Sequence, residues 1–136
     1  MVDALAQHGS QGKTDAHALY RRVAFNVLIS NVDDHLRNHG FLWRGKAGWP
    51  LSPAYDLNPV PADLKARVLT TNIDLLEVAS AFFALPLPQV RAIIKEVAVV
   101  TATWRDTAKT VGARSAEITR MASAFAHSDL TRALAL

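Results

Sequence analysis

Apolar residues recur at helical spacing along most of this chain, and one polar, proline-dotted stretch between residues 31 and 61 breaks the pattern. That break constrains the fold more than any other feature. Before it, Ala16, Leu19, Tyr20, Val23, Val27 and Leu28 share one helical face. The helix is predicted to start at Thr14 as cap, with Asp15 facing the positive end of the dipole, and to run to Ile29 or Ser30. After the break, Asn72 caps a predicted helix with Leu75, Leu76, Ala79, Phe82 and Phe83 inside, ended by Pro86 and Pro88. A longer helix carries Val90, Ile93, Ile94, Val97, Val100 and Trp104 and stops at Gly112. Ser115 caps a last one with Ile118, Met121, Ala122 and Phe125 inside.

The break itself has three parts. Asn31 to His39 is a polar cluster. Gly40 to Arg44 and Trp49 to Ser52, joined by Gly45-Lys46-Ala47-Gly48, read as a small β-hairpin. Ser52 to Leu64 holds Pro53, Pro59 and Pro61, too many for a regular helix or central strand, so it is expected to be an ordered loop. The predicted fold class is therefore mainly α, a helical domain over residues 14–136 with one small β-hairpin between two polar loops. Residues 1–13 are small, polar and glycine-containing, and are expected to be a linker or disordered start.

Composition excludes several function classes. Half the residues are hydrophobic and 20% are charged, the balance of a chain that buries a core. With no cysteine, a disulfide scaffold, thiolate-bound zinc and thiol catalysis are ruled out. The net charge of +3 is spread evenly along the chain, without the basic block of a nucleic-acid arm or membrane anchor. The longest nearly uncharged apolar stretch, Val78 to Pro88, is too short to cross a bilayer and contains two prolines. No signal segment is evident, and a cytoplasmic location is the expectation.

The chemistry is concentrated in the polar loops. A hairpin returns the chain to where it left, so the loops before and after it should be neighbours. That would bring Asp33, Asn38 and Asp56 together. Two carboxylates and an amide make an oxygen-rich set that suits Mg²⁺ beside phosphate, and a carboxylate not tied to metal can accept a hydroxyl proton. Protein kinases place a base Asp five residues before a metal-binding Asn, with a second metal-binding Asp after a hairpin. Asp33 and Asn38 have that spacing, and Asp56 follows the expected hairpin.

On these residues the chain resembles the C-terminal part of the HipA-type serine/threonine kinases, toxins of bacterial toxin–antitoxin pairs. Asn31-Val32-Asp33-Asp34-His35-Leu36-Arg37-Asn38 looks like the family's catalytic loop, and Leu51 to Pro59 looks like its metal-binding segment. Phe25 to Ile29 fits the approach helix, so the resemblance runs from about Asp15 onwards. It implies a helical kinase-like lobe that moves the γ-phosphate of ATP to a Ser or Thr of a protein substrate. Asp33 would be the base or hydroxyl-orienting group, with His35 shaping the loop. Asn38 and Asp56 would hold Mg²⁺ against ATP, and Tyr55 is a candidate to stack near the nucleotide. Family members also carry an upstream lobe with a phosphate-covering loop and an ATP-gripping lysine. No such lobe is found in these 136 residues, so the chain alone is expected to bind nucleotide weakly and transfer no phosphate. A HipB-like antitoxin is the implied partner, with DNA contacted only through that complex and no membrane role. The rival expectation is a non-catalytic module that binds an antitoxin or a separate upper lobe.

Gly12-Lys13-Thr14 lacks the glycine five residues earlier that a P-loop needs, since position 7 is Gln. His35 and His39, four apart, could suit a zinc hydrolase only on a helix, and this stretch reads as loop. Asp34 and Arg37 are expected to be solvated or locally paired, and Trp43, Trp49 and Trp104 to pack. Arg91, Lys95, Arg105, Lys109, Arg114 and Arg120 are expected on solvated faces.

Overall fold

The computed structural model describes residues 1–136 and contains seven helices. They are α1 (Val2–His8), α2 (Gly12–Leu28), α3 (Ile73–Val78), α4 (Leu87–Ala102), α5 (Trp104–Thr110), α6 (Ser115–Phe125) and α7 (Ser128–Leu134). The protein is mainly α, as the periodicity predicts. The predicted β-hairpin does not form: there is no strand, and one isolated antiparallel bridge joins Phe41 to Leu51. The chain still doubles back, because the Leu42 N–H donates to the Pro50 carbonyl at 3.0 Å and the Ser52 N–H to that of Gly40 at 2.9 Å. Pro50 has no N–H to return, and Gly45–Ala47 coils into a 3₁₀ turn, so the ladder cannot extend. Gly48 fastens this loop to α1. Its φ is +93°, a Cβ there would lie 2.9 Å from the His8 carbonyl oxygen, and the adjoining Trp49 N–H donates to that oxygen at 3.1 Å.

The first thirteen residues depart from the linker expectation. Ala4, Leu5 and Ala6 favour helix, Asp3 sits in the first turn, and Leu5 is buried against α2. Burying one leucine contributes about 2 kcal/mol, enough to hold a short helix that would not persist alone. The second helix begins at Gly12, two residues before the predicted cap, so Thr14 lies inside it. Asp15 is nearly buried, and its carboxylate accepts the Leu51 N–H at 3.1 Å.

The main core gathers Tyr20, Ala24, Val27 and Leu28 of α2 with Ile73 and Leu76 of α3. Leu85 just before α4, Val90, Ile93, Ile94 and Ala98 of α4 and Ala133 of α7 complete it. Asn72 caps α3 as predicted, accepting the Leu75 N–H at 2.9 Å. The face predicted for this helix is only partly right. After Val78 the chain tightens to 3₁₀ over Ala79–Phe83, and this change of pitch turns Phe82 into solvent while Phe83 packs edge-on to Tyr20. Leu75 is also half-exposed.

The long helix predicted to run on to Gly112 is two. Thr101 and Thr103 hydroxyls bond back to the carbonyls of Val97 and Val100, both at 2.8 Å, at the point where α4 gives way to α5. Gly112, at φ +86°, follows α5. The next helix is capped one residue earlier than predicted: the Arg114 N–H donates to the Glu117 carboxylate at 2.8 Å, and Ser115 is the first helical residue. The last helix was not predicted. His127 caps it, Nδ1 accepting from the Leu130 N–H at 3.4 Å while Nε2 lies 3.0 Å from the Leu28 carbonyl oxygen. No helix is long and apolar enough to cross a membrane.

Candidate functional site

The polar loops are built outward from the end of α2. Asn26 points into the interior from that helix at 3% exposure, and Asn31, just past its end, is 1% exposed. Ser30 makes the turn between them at φ +55°, its hydroxyl donating to the Ala124 carbonyl at 2.7 Å. Asn31 Nδ2 then donates twice, to Asn26 Oδ1 and to the Asp56 carbonyl, each at 3.1 Å. This one amide fastens the first loop both to its helix and to the second loop. Tyr55 adds a second link, its hydroxyl donating to the Arg37 carbonyl at 2.6 Å. Arg22, on α2, ties the start of the second loop to that helix, with Nη2 donating to the Ser52 carbonyl at 2.6 Å. The two polar loops are neighbours, although no regular hairpin brings them there.

The individual candidates differ in setting. Asp33 is exposed, and its carbonyl accepts from Asn38 Nδ2 at 3.3 Å. Asn38 is buried in a 3₁₀ turn, Leu36–Asn38; with its amide nitrogen engaged, the amide oxygen is the group left for a ligand. Asp56 is exposed and sits at φ +56°, a left-handed conformation that costs a non-glycine residue about 1 kcal/mol. One of its carboxylate oxygens accepts from Asn58. His35 is half-buried, with Nε2 3.3 Å from Arg37 and Nδ1 without a partner. The Tyr55 ring is 44% exposed, so the residue braces the loops with its hydroxyl and leaves a ring face in solvent.

Asp34 is neither solvated nor paired with Arg37. It lies 3.0 Å from Nε2 of buried His39, and Arg37 turns instead to His35. The two histidines therefore face different partners. No group of three or more His, Asp or Glu side chains lies close enough to hold a metal, so the ligand set of a zinc hydrolase is not assembled. The oxygen donors of Asn38 and Asp56 are hard ligands of the type Mg²⁺ takes, usually with several waters retained. Burial pushes the Arg22 guanidinium down from its ordinary value, while Tyr55 and Asp34 nearby act the other way. None of the five main cavities is lined by Asp33, His35, Asn38, Tyr55 or Asp56, and the site is an open face.

Reasoning from sequence missed the residues that hold this face together. Asp15, Arg22 and Asn26 all lie on α2, and a polar residue among core positions of an amphipathic helix is the signal that could have found the buried Asp15 and Asn26. Arg67 gave no such signal. It lies in the irregular segment before α3, yet its guanidinium reaches the Val27 carbonyl at 3.0 Å, Ser30 Oγ at 2.9 Å and Asp129 at 2.8 Å.

Among the late basic residues, Arg91, Lys109, Arg114 and Arg120 form surface ion pairs, in keeping with a solvated face. Trp43 and Trp49 pack on each other across the doubled-back loop with centroids 4.9 Å apart. Trp104 stacks on Phe125 at 4.3 Å.

A family model described as HipA-like C-terminal domain matches residues 1–127, which spans both polar loops and reaches the end of α6. The chain matches no curated protein and no solved structure.

Proposed function

The chain belongs to the HipA-like C-terminal domain family, and from that premise we propose that it is the catalytic lobe of a protein serine/threonine kinase. The observation that supports this most is the joining of the two polar loops through Asn31, which holds the Asp33–Asn38 loop against the backbone of Asp56. In this reading Asp33, exposed and anchored through its own carbonyl, orients the substrate hydroxyl and accepts its proton. Asn38 and Asp56 would hold Mg²⁺. The bound MgATP supplies the γ-phosphoryl group and the cation that offsets its charge. His35 and Arg37 shape the rim of the loop, and Tyr55 keeps Arg37 in register with the second loop while offering a ring face to the nucleotide.

The open face accounts for a further part of the proposal. Positioning and electrostatic stabilisation of phosphate both need water excluded, and an exposed Asp33–Asp56 surface needs a second protein surface over it. That surface would be a lobe carrying a glycine-rich loop and a lysine, and without it this chain transfers no phosphate. The wider setting we propose is a cytoplasmic toxin restrained by a HipB-like antitoxin, with DNA contacted only through that partner. The open face also favours a second reading, a non-catalytic module that uses the same fold to bind an antitoxin or a separate lobe.

Transfer from γ-labelled ATP to a protein serine or threonine separates the two readings, assayed with the chain alone and with an upper lobe supplied. The kinase reading expects incorporation only with the lobe, abolished by Asp33→Ala or Asp56→Ala. Incorporation at the wild-type level in either variant would overturn the residue assignment, and none under any condition would favour the interaction module.

A further inference from the structure

Asp34 and His39 each adjoin a member of the candidate site: Asp34 follows Asp33, and His39 follows Asn38. Their side chains meet inside the first polar loop. Asp34 Oδ1 lies 3.0 Å from His39 Nε2, with 20% of the aspartate side chain and 6% of the histidine side chain exposed. A bare imidazole nitrogen and a carboxylate oxygen would repel at that distance, so Nε2 carries a proton. The N–H is not aligned for a full hydrogen bond, and the attraction is chiefly that of the carboxylate for the polar edge of the ring. On the other edge, Nδ1 has no partner.

This contact closes the loop where its other closure is weak. Asn38 Nδ2 donates to the Asp33 carbonyl at 3.3 Å, beyond the usual range of about 2.7–3.2 Å for such a bond. Asn31 anchors one end of the loop, and the Gly40 carbonyl, accepting the Ser52 N–H at 2.9 Å, anchors the other. Between those anchors, Asp34 draws His39 inward, and Asn38 and Asp33 move with them. Two apolar side chains could close the loop as firmly, but a carboxylate facing an N–H also fixes the direction in which it closes. In phosphoryl transfer that direction matters, because misplacing a reacting group by about 1 Å costs about a hundredfold in rate. We propose that Asp34 and His39 are positioning residues, a buried clamp that sets Asp33 and Asn38 at their working separation. The chemical consequence rests on the kinase reading, whereas the effect on the loop rests on the contact alone.

Five variants of the full chain test it: Asp34→Ala, His39→Leu, the two combined, and the conservative Asp34→Asn and His39→Gln. The Asn38 and His39 amides, both hydrogen-bonded within the loop, should exchange at least about tenfold faster in Asp34→Ala and in His39→Leu, with the helices unchanged. The combined variant should be no faster than either single one, because both remove the same contact. Asp34→Asn keeps an acceptor and His39→Gln keeps an N–H, so each should recover most of the protection. The imidazole nitrogen spectrum should show a proton on His39 Nε2. With an upper lobe supplied, Asp34→Ala and His39→Leu should lower kcat at least about tenfold with little change in KM for the protein substrate, and the conservative variants should restore it. Wild-type exchange in Asp34→Ala or His39→Leu, effects that simply add in the combined variant, or a Nε2 without a proton would overturn the proposal. So would an unchanged kcat in a variant whose loop has loosened. A wild-type chain that transfers no phosphate with the lobe would instead refute the kinase reading, and the exchange rates would then decide whether the clamp holds the loop.

Discussion

Replacing Arg67 by methionine should destabilise the protein far more than its position in an irregular segment suggests. The guanidinium is about a quarter exposed and ties three elements: the end of α2 through the Val27 carbonyl, the Ser30 hydroxyl, and Asp129 of α7. Asp129, with its side chain 11% exposed, also accepts the Ile73 N–H at 3.0 Å, the first amide of α3. Methionine keeps the unbranched stem and removes the charge, so the change isolates the polar contacts from the packing. Removing one partner of a buried ion pair costs about 3–5 kcal/mol, and partial exposure puts this case at the lower end, about 3 kcal/mol. Unfolding entropy for a chain of 136 residues is about 0.29 kcal/mol/K, so the midpoint should fall by about 10 °C. Most of that loss is the unpaired carboxylate, and Asp129→Asn in the Arg67→Met background should therefore recover part of it while keeping an acceptor for Ile73. Calorimetry on the three proteins gives the answer directly. A midpoint within about 3 °C of wild type for Arg67→Met, which is less than about 1 kcal/mol, would show that the hub is not holding α2, α3 and α7 together.

Three further outcomes are expected. Asn31→Ala should cost about 2 kcal/mol in urea unfolding, because it orphans Asn26 Oδ1 and the Asp56 carbonyl, and amide exchange should quicken over Ala54 to Asn58. Asp56→Gly should change stability by less than about 1 kcal/mol, since relief of the positive φ offsets the lost Asn58 contact, whereas Asp56→Val should lose about 2 kcal/mol. On the proposed kinase reading, with Asp56 holding metal, the glycine variant also loses phosphate transfer when an upper lobe is supplied, despite its stability, which separates a chemical loss from a structural one. Burial holds His127 below its ordinary value of 6.5, helped by nearby Arg67. The unfolded chain therefore takes up that proton first, and stability present above about pH 6.5 is lost as pH falls towards the lowered folded value. Urea unfolding at about pH 7.5 and about pH 5.5 should show the decline in wild type and a smaller one in His127→Gln.

How much of this was legible in the sequence depended on how local its cause was. The apolar stripes of α2 and α4 follow from spacing alone, and so does the Asn72 cap. The split between α4 and α5 turns on threonine hydroxyls bonding back to the helix, a local cue that carries little weight beside an apolar stripe continuing to Trp104. Residues 1–13 read as linker because a single buried leucine gives no periodicity, and the last helix depends on His127 reaching Leu28 from 99 residues away. At the site, the spacing of Asp33, Asn38 and Asp56 is visible in the sequence, but the amide that links their loops is an ordinary asparagine until its partners are known. The loops were expected to meet through a hairpin. They meet through Asn31 and Tyr55, while Arg22 ties the second loop to α2 and Pro50 limits the strand pairing.

The polar groups around this face divide by exposure, and the division carries a physical argument about their roles. Asp15, Asn26, Asn31 and Asn38 are buried and hydrogen-bonded, and each fixes the path of a loop. Asp33 and Asp56 are exposed, and their carboxylates carry little of the fold: Asp56 bonds only its neighbour Asn58, and Asp33 contributes its backbone carbonyl. A buried amide that loses its partner costs stability wherever it lies, so substitutions in the first group are felt in unfolding. Carboxylates kept in water, one of them on a strained backbone, add little to stability and are free to bind an incoming ligand. The break in the apolar pattern that dominates the sequence is thus a rigid mount made from buried amides, and the exposed carboxylates are what it presents.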